Sequence, residues 1–425
     1  MMEQNKQEQA MPKDRAILVG VNFTSDRYDD CDYTSLDELE GLLDTAGGIC
    51  CGKLLQNKDV PEAATFLGEG KVQELKELVQ LHQANLVVFD NELSPTQIRN
   101  LEKELEARVM DRSMLILDIF AMRAVTREGK LQVELAQLKY MAPRLTTSYE
   151  ALSRLGGGVG TRGPGESKLE TDRRRIRERI TALTAQLREV EQVRSTMRKA
   201  RQKNPVPLIS VIGYTNAGKS TLFNRLTGAG VLEENRLFAT LDTTVRKVRI
   251  SDNCEALISD TVGFIKKLPH HLVEAFHSTL EEMVYSDLIL HVIDVSAENW
   301  RENEQVSLDT MHQVGVQDVP ILTVFNKCDL VDLETIAGRP DSVFVSARTG
   351  ENFDQLLQKM DEMLNRGKRQ VVLLVPYSEG RVIDLLHQQN CVLEESYEAE
   401  GTRLVCLLDG EMQGRMAQYE QKEEA

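Results

Sequence analysis

Residues 213–220 read Gly-Tyr-Thr-Asn-Ala-Gly-Lys-Ser, a spacing that assembles what is needed to hold a polyphosphate. Gly213 and Gly218 allow a tight curl in which successive N–H groups, through Tyr214, Thr215, Asn216 and Ala217, converge on an anion with a helix N-terminus. Lys219 adds a mobile positive charge, and Ser220 offers a hydroxyl to Mg2+. Downstream, Asp260-Thr261-Val262-Gly263 places an Asp and, three residues on, a Gly where Mg2+ and a terminal phosphate would be sensed. Two further motifs, Asn326-Lys327-Cys328-Asp329 and Ser346-Ala347-Arg348, address the base. The Asp329 carboxylate can accept from guanine N1–H and the exocyclic amine, neither of which adenine presents at that edge. Lys327 is expected along the base plane, and the Ala347 N–H is expected to donate to the guanine carbonyl. Four motifs in this order point to binding of GTP and its conversion to GDP and phosphate.

These residues need strand ends to stand on. The apolar run Leu208–Ile212 predicts a buried strand before the phosphate loop, and Thr221-Leu-Phe-Asn-Arg-Leu226 opens a helix after it. Strands are predicted at Val245–Ile250, Glu255–Ser259, Leu288–Ile293, Ile321–Phe325 and Val343–Val345, with a helix at Glu302–His312. The fold class is therefore α/β and multidomain, the GTPase domain occupying 205–367. Residues 1–127 form an N-terminal α/β subdomain: strands at Ala16–Asn22, Gly48–Leu55, Asn85–Phe89 and near Val109 alternate with helices at Ser35–Thr45, Gly70–His82 and Ser94–Glu106, as in a parallel sheet. The Gly68-Glu-Gly70-Lys71 turn lacks a longer cradle and a hydroxyl after its Lys, so it reads as a helix entry. In 368–425 a strand at Val371–Val375, a helix near Gly380–Gln389 and strands at Val392–Ser396 and Arg403–Leu408 make a small C-terminal α/β appendage.

Between them, 128–204 changes to long helices, Lys130–Met141 and about 167–201, the second carrying a nearly heptad seam of Ile176, Ile180, Leu183, Leu187, Val190 and Met197 broken by Arg194. A seam that long needs a partner, which predicts a helical hairpin; Pro143 should kink or restart its first arm. The tip holds six glycines within 156–165, flanked by Arg154, Arg162 and Lys168. Backbone of that kind approaches a crowded surface closely, and arginines meet phosphates bidentately, so the tip is expected to touch RNA.

At 425 residues the chain is long enough for several cores. No apolar run approaches a membrane span and residues 1–14 lack the core of a signal peptide, so a cytoplasmic location is expected, with peripheral membrane association left open, and a monomer. Seven scattered cysteines without a CxxC pair read as free thiols. Residues 151–203 carry 14 Lys and Arg against 6 Asp and Glu, a local +8, which leaves −24 for the rest of a chain whose net charge is −16. One basic segment on an acidic body suggests a directed contact with a polyanion.

Taken together, Gly157-Gly158-Val-Gly160-Thr-Arg-Gly-Pro-Gly-Glu166, Gly213–Ser220 and Phe238-Ala239-Thr240-Leu241-Asp242 make the chain resemble the HflX family of ribosome-associated GTPases over nearly its whole length. The resemblance implies contact of the hairpin with RNA of the large ribosomal subunit near the peptidyl-transferase centre, and a role in splitting stalled or idle ribosomes. It also implies that Phe238–Asp242 is a nucleotide-sensing segment and that Thr240 is the second Mg2+ ligand, where spacing alone leaves Thr240, Thr243 and Thr244 as rivals. Lys219, Thr240 and Gly263 are then the catalytic set. The family's common LDPT is LDTT here, with Thr243 in place of Pro. Phe264 stands where Ras-type switches carry a glutamine that orients water, which predicts slow hydrolysis by the protein alone and acceleration by a partner. Two other readings are an RNA-binding or RNA-remodelling scaffold whose docking nucleotide regulates, and a GTP-dependent RNA-modifying enzyme; the C-terminal segment has no reactive-cysteine signature for the latter.

Overall fold

The computed structural model describes residues 13–23, 31–144, 164–201, 206–228, 237–238, 244–251, 254–261, 263–267, 280–332, 336, 338–389 and 391–421. It divides into two compact units: 1–187 with 235–238 and 267–275, and 188–234 with 239–266 and 276–425.

The first unit is built on a parallel sheet of β1 (Arg15–Phe23), β2 (Ile49–Lys58), β3 (Leu86–Phe89) and β4 (Arg108–Asp111) in the order β2-β1-β3-β4. β1 and β3 are apolar almost throughout and buried on both faces, as central parallel strands between helices must be. Asp32 caps α1 (Tyr33–Thr45) by accepting from Ser35 N at 2.8 Å, and Leu36, Leu39 and Leu43 then fall on one buried face. α2 (Glu69–Leu81) begins at Gly68, so the Gly68–Lys71 segment is the helix entry expected of it. α3 (Pro95–Leu105) starts with a full Ser94/Gln97 capping box and a proline in its first turn.

α4 (Arg112–Arg123) was not anticipated: its Met114–Met122 run is apolar with little interruption, so no helical stripe stands out. Its start is fixed by Asp111, fully buried, whose Oδ1 accepts from Met114 N (3.0 Å) and Tyr140 Oη (2.7 Å) while Oδ2 accepts from Leu93 N and Arg144 Nη2 (both 3.3 Å). One carboxylate thereby ties the end of β4 to the end of α5 (Arg127–Met141), which stops before Pro143. In α6 (Pro164–Arg201) the predicted seam is only half-buried at Ile176, Ile180, Leu187 and Val190, and Leu183 alone among these is enclosed. Arg179 of α6 meets Glu134 of α5 bidentately at 2.6 and 2.8 Å.

The second unit holds a six-stranded sheet of β5 (Leu208–Gly213), β6 (Thr244–Ser251), β7 (Cys254–Asp260), β8 (Leu288–Asp294), β9 (Ile321–Asn326) and β10 (Ser342–Phe344), ordered β10-β9-β8-β5-β7-β6. All pairs are parallel except β6 with β7. Helices α7 (Lys219–Thr227), α8 (Trp300–Val314) and α9 (Phe353–Leu364) accompany it. Leu222 and Phe223 of α7 join Ile209, Val211, Ile258, Leu290, Leu322 and Val324 in a fully buried core. The same unit carries an antiparallel three-stranded sheet, β11 (Arg369–Val375), β13 (Thr402–Leu408) and β12 (Val392–Tyr397) in that order, closed by α10 (Gly380–Gln388) and α11 (Gly410–Met416) around Leu373, Leu386, Leu404 and Met416.

Candidate functional site

The carboxyl ends of β5, β7, β9 and β10 carry the predicted motifs, where an open α/β sheet presents its ligand site. Gly213 (φ +149°) ends β5, and a Cβ there would lie 2.1 Å from the Val292 carbonyl oxygen, so only glycine fits. Gly218 (φ +90°) starts α7, with Asn326 Nδ2 only 2.2 Å from where a Cβ would be. Lys219 is buried, and its Nζ donates to the Tyr214 carbonyl at 2.7 Å. Burial pushes its ammonium down to about 8, against the opposing pull of the Asp260 carboxylate. Ser220 Oγ donates to Asp260 Oδ2 at 2.9 Å, bringing together two oxygen-bearing side chains from sequence positions 40 apart.

The residues after Asp260 fold back onto the loop. Thr261 Oγ1 donates to Val211 O at 2.7 Å; Thr215 N donates to Phe264 O at 2.7 Å and Phe264 N to Gly213 O at 3.0 Å. Gly263 thus lies against the phosphate loop so closely that a Cβ would be 2.7 Å from Lys219 Nζ and 3.0 Å from Thr215 Cγ2. The Phe264 ring packs with Ile212, Leu280, Met283 and Met311 in a buried apolar cluster. It offers no polar group to a phosphate or a water.

On the base side, Asn326 is buried and its amide is used in both directions: Nδ2 donates to Ala217 O at 2.8 Å and Oδ1 accepts from Ala347 N at 2.9 Å. The Ala347 N–H, expected on the guanine carbonyl, is therefore given to Asn326, which braces the phosphate loop against the 346–348 loop. Lys327 adopts a left-handed backbone (φ 62°) and its Nζ pairs with Asp294 Oδ2 at 2.6 Å. Asp329 accepts from Arg348 Nη2 at 2.8 Å, and hydrogen bonding from Ser346, then Arg348, holds its carboxyl below the usual range. Cys328 is buried beneath them.

Ala239, Thr240, Leu241, Asp242 and Val262, and the tip up to residue 163 with Arg154 and Arg162, lie outside the described residues, as does the side chain of Lys168. Two site residues escaped the sequence reading. Arg225, six residues beyond the loop's helix start, donates to Arg348 O (3.0 Å) and Thr349 O (2.9 Å) and so holds the base-side loop. Asp294 closes β8 and orients Lys327; its place at the end of an apolar strand was the available signal.

Known proteins match this arrangement in sequence. Residues 208–327 match the family model described as a 50S ribosome-binding GTPase, 33–121 that of the GTP-binding GTPase N-terminal region, and 123–201 that of the GTP-binding GTPase middle region. The GTPase HflX of Lacrimispora saccharolytica is 49% identical over 392 residues, 92% of each chain. The chain belongs to the HflX family of GTPases. HflX proteins of Caldanaerobacter subterraneus (45%; 97% of this chain, 95% of that one) and Escherichia coli K12 (44%; 92% of each) are similar over the same span. A crystal structure of SsGBP with GDP is similar over 83% of this chain and 99% of that one, at 25% identity and TM-score 0.48. As a member of HflX the chain binds guanine nucleotides and hydrolyses GTP, and none of its described helices is long and apolar enough to cross a membrane.

Proposed function

We propose that this GTPase is a switch that docks on the large ribosomal subunit in its GTP form and promotes the splitting of stalled or idle ribosomes. The observation that carries the switch is the fold-back of Gly263 and Phe264 onto Gly213 and Thr215, which joins the segment that senses a terminal phosphate directly to the loop that would cradle it. The ribosomal reading is supported by the 50S ribosome-binding description of the family matched over 208–327 and by the +8 segment at 151–203.

In this reading Lys219 and the N–H groups of the 213–218 loop hold the phosphates, Gly263 responds to the terminal one, and Asp329 with Lys327 selects guanine. Asn326, Arg225 and Arg348 fix those two loops. Ser220, with Thr240, would ligate Mg2+, and the Ser220 hydroxyl beside the Asp260 carboxylate is a donor set that suits so hard a cation. Bound there, Mg2+ would supply positive charge to the phosphate oxygens. Water enters on its own or through a partner, since Phe264 is turned into the core.

Hydrolysis measured with purified large subunits, intact ribosomes and free ribosomal RNA separates this reading from an RNA scaffold. Acceleration by subunits and ribosomes well beyond that by free RNA is expected. Equal stimulation by free RNA would favour the scaffold, and no stimulation by any of them would contradict the ribosomal role.

A further inference from the structure

Two of the seven cysteines meet in the C-terminal sheet, although Cys391 and Cys406 stand fifteen positions apart and no CxxC spacing announces them. The β12–β13 hairpin brings them together: Val392 pairs with Cys406, and Leu407 N donates to Cys391 O at 2.8 Å. Cys391 is thus one residue along the ladder from the partner of Cys406. With strands about 5 Å apart and about 3.4 Å per residue, that diagonal is about 6 Å between Cα atoms, inside the roughly 4.4–6.8 Å that a disulfide spans. Because Cys391 precedes the strand, the pleat does not dictate where its side chain points. The side chain packs against the core that holds Cys406, and the Cys406 thiol donates to the Cys391 sulfur.

The two thiols differ in what can reach them. Cys406 is enclosed in the core, whereas Cys391 is half-buried and lines a cavity of about 430 Å³. That cavity lies within the second unit, between the C-terminal sheet and the β6–β7 turn with the end of α9, and Cys254, Asp361, Lys368 and Asp409 share its wall. A hydroperoxide, about two waters in size and so roughly 60 Å³, has ample room there. In its neutral form Cys391 donates its S–H to Leu386 O at 3.2 Å. The hydrogen bond from Cys406 favours the thiolate, as does the Lys368 ammonium; burial and the Asp409 carboxylate oppose it, and the Cys391 thiol is held below its ordinary value. Cys254, on the same wall, goes the other way, since burial and the Asp361 carboxylate push its thiol up to about 11. A thiol that reacts with peroxide must be ionised and reachable, with a second thiol close enough to complete the reaction. Cys391 meets all three conditions; Cys254, with a carboxylate for its neighbour, does not.

We propose that Cys391 and Cys406 form a peroxide-responsive pair, in which Cys391 attacks a hydroperoxide that enters by the cavity and Cys406 resolves the product as an intramolecular disulfide. In the first step the Cys391 thiolate sulfur bonds one peroxide oxygen, the O–O bond breaks, and the other oxygen takes the proton that Cys391 gave up and leaves as water or an alcohol. Cys391 is then a sulfenic acid. In the second step the Cys406 sulfur attacks that sulfur, the S–O bond breaks, and the hydroxyl leaves as water with the Cys406 proton. Two thiols have lost two electrons and two protons, and the hydroperoxide has gained them. The product ties the start of β12 to β13, closes the 391–406 loop, and removes the thiol that bonds Leu386 O in the last turn of α10.

The test is exposure of the reduced full-length protein to hydrogen peroxide, followed by peptide mapping of the parent, Cys391→Ser and Cys406→Ala. The parent should lose two hydrogens in mass and yield a reducible peptide cross-linked between Cys391 and Cys406, with Cys391 oxidised about tenfold or more faster than Cys254. Cys406→Ala should give no cross-link and accumulate a Cys391 sulfenic acid that dimedone labels. Cys391→Ser should leave Cys406 reduced over the same interval, and this variant of a half-buried residue carries the test with the parent map if Cys406→Ala does not fold. A parent without the cross-link, oxidation of Cys50, Cys51 or Cys254 ahead of Cys391, a folded Cys406→Ala protein whose Cys391 resists dimedone, or Cys406 oxidised as fast in Cys391→Ser as in the parent would overturn the proposal.

Discussion

Replacing Asn326 by Ala should destabilise the nucleotide-binding sheet before any nucleotide is added. The side chain is 2% exposed and satisfies two buried backbone groups, Ala217 O at 2.8 Å and Ala347 N at 2.9 Å, on residues themselves 1% and 3% exposed. Alanine removes both partners and leaves a donor and an acceptor buried, at roughly 1–3 kcal/mol each, discounted where water can enter the gap. A loss of about 2–4 kcal/mol follows, or about 4–16 °C in the unfolding midpoint of a unit this size. The chain has a single tryptophan, Trp300, whose ring meets Phe325 edge-on at 5.8 Å, so its fluorescence reports unfolding of this sheet specifically. Thermal and urea titrations of the nucleotide-free protein give the number. A loss below about 0.5 kcal/mol, with weakened GTP binding, would mean that Asn326 is a reader of the base and not a brace, and the reasoning would fail.

Asp329→Asn should move preference from GTP toward XTP, because one hydrogen-bond polarity at the base edge is reversed; unchanged GTP affinity in competition binding would show that Asp329 does not face the base. The protein alone should hydrolyse GTP slowly, since Phe264 is buried at the position of the water-orienting glutamine, and rapid single-turnover hydrolysis without ribosomes would contradict this. The Lys219 ammonium, lowered to about 8 by burial, is raised again by phosphate contact, so GTP affinity should be flat below about pH 7 and fall as pH rises through 8. The same group makes the nucleotide-free protein gain stability from about pH 8 to its unfolded value of 10.5, because the unfolded chain binds more protons in that window; a binding profile flat to pH 9.5 would refute the assignment.

What the sequence made legible is what short-range chemistry decides. Gly213 and Gly218 stand where a Cβ would collide with Val292 and Asn326, and Ser94-Pro95 is a helix start whatever lies around it. The partners of polar side chains were not legible, since they depend on which strand ends meet. Asn326 turned out to hold Ala217 and Ala347, Lys327 to hold Asp294, and Asp90 to hold Lys267 across 177 residues of chain. α4 was missed for the opposite reason: a helix buried on most sides loses its apolar stripe, and only its cap, Asp111, marks it.

The central claim is that GTP binding in the 205–367 region drives docking that separates ribosomal subunits. Light scattering of intact ribosomes mixed with the protein tests it most directly. The account predicts a fall in scattering with GTP and little with GDP, and loss of that fall when residues 156–165 are deleted while GTP binding by the free protein is nearly unchanged. Equal scattering under GTP and GDP, or full splitting by the deletion variant, would contradict it.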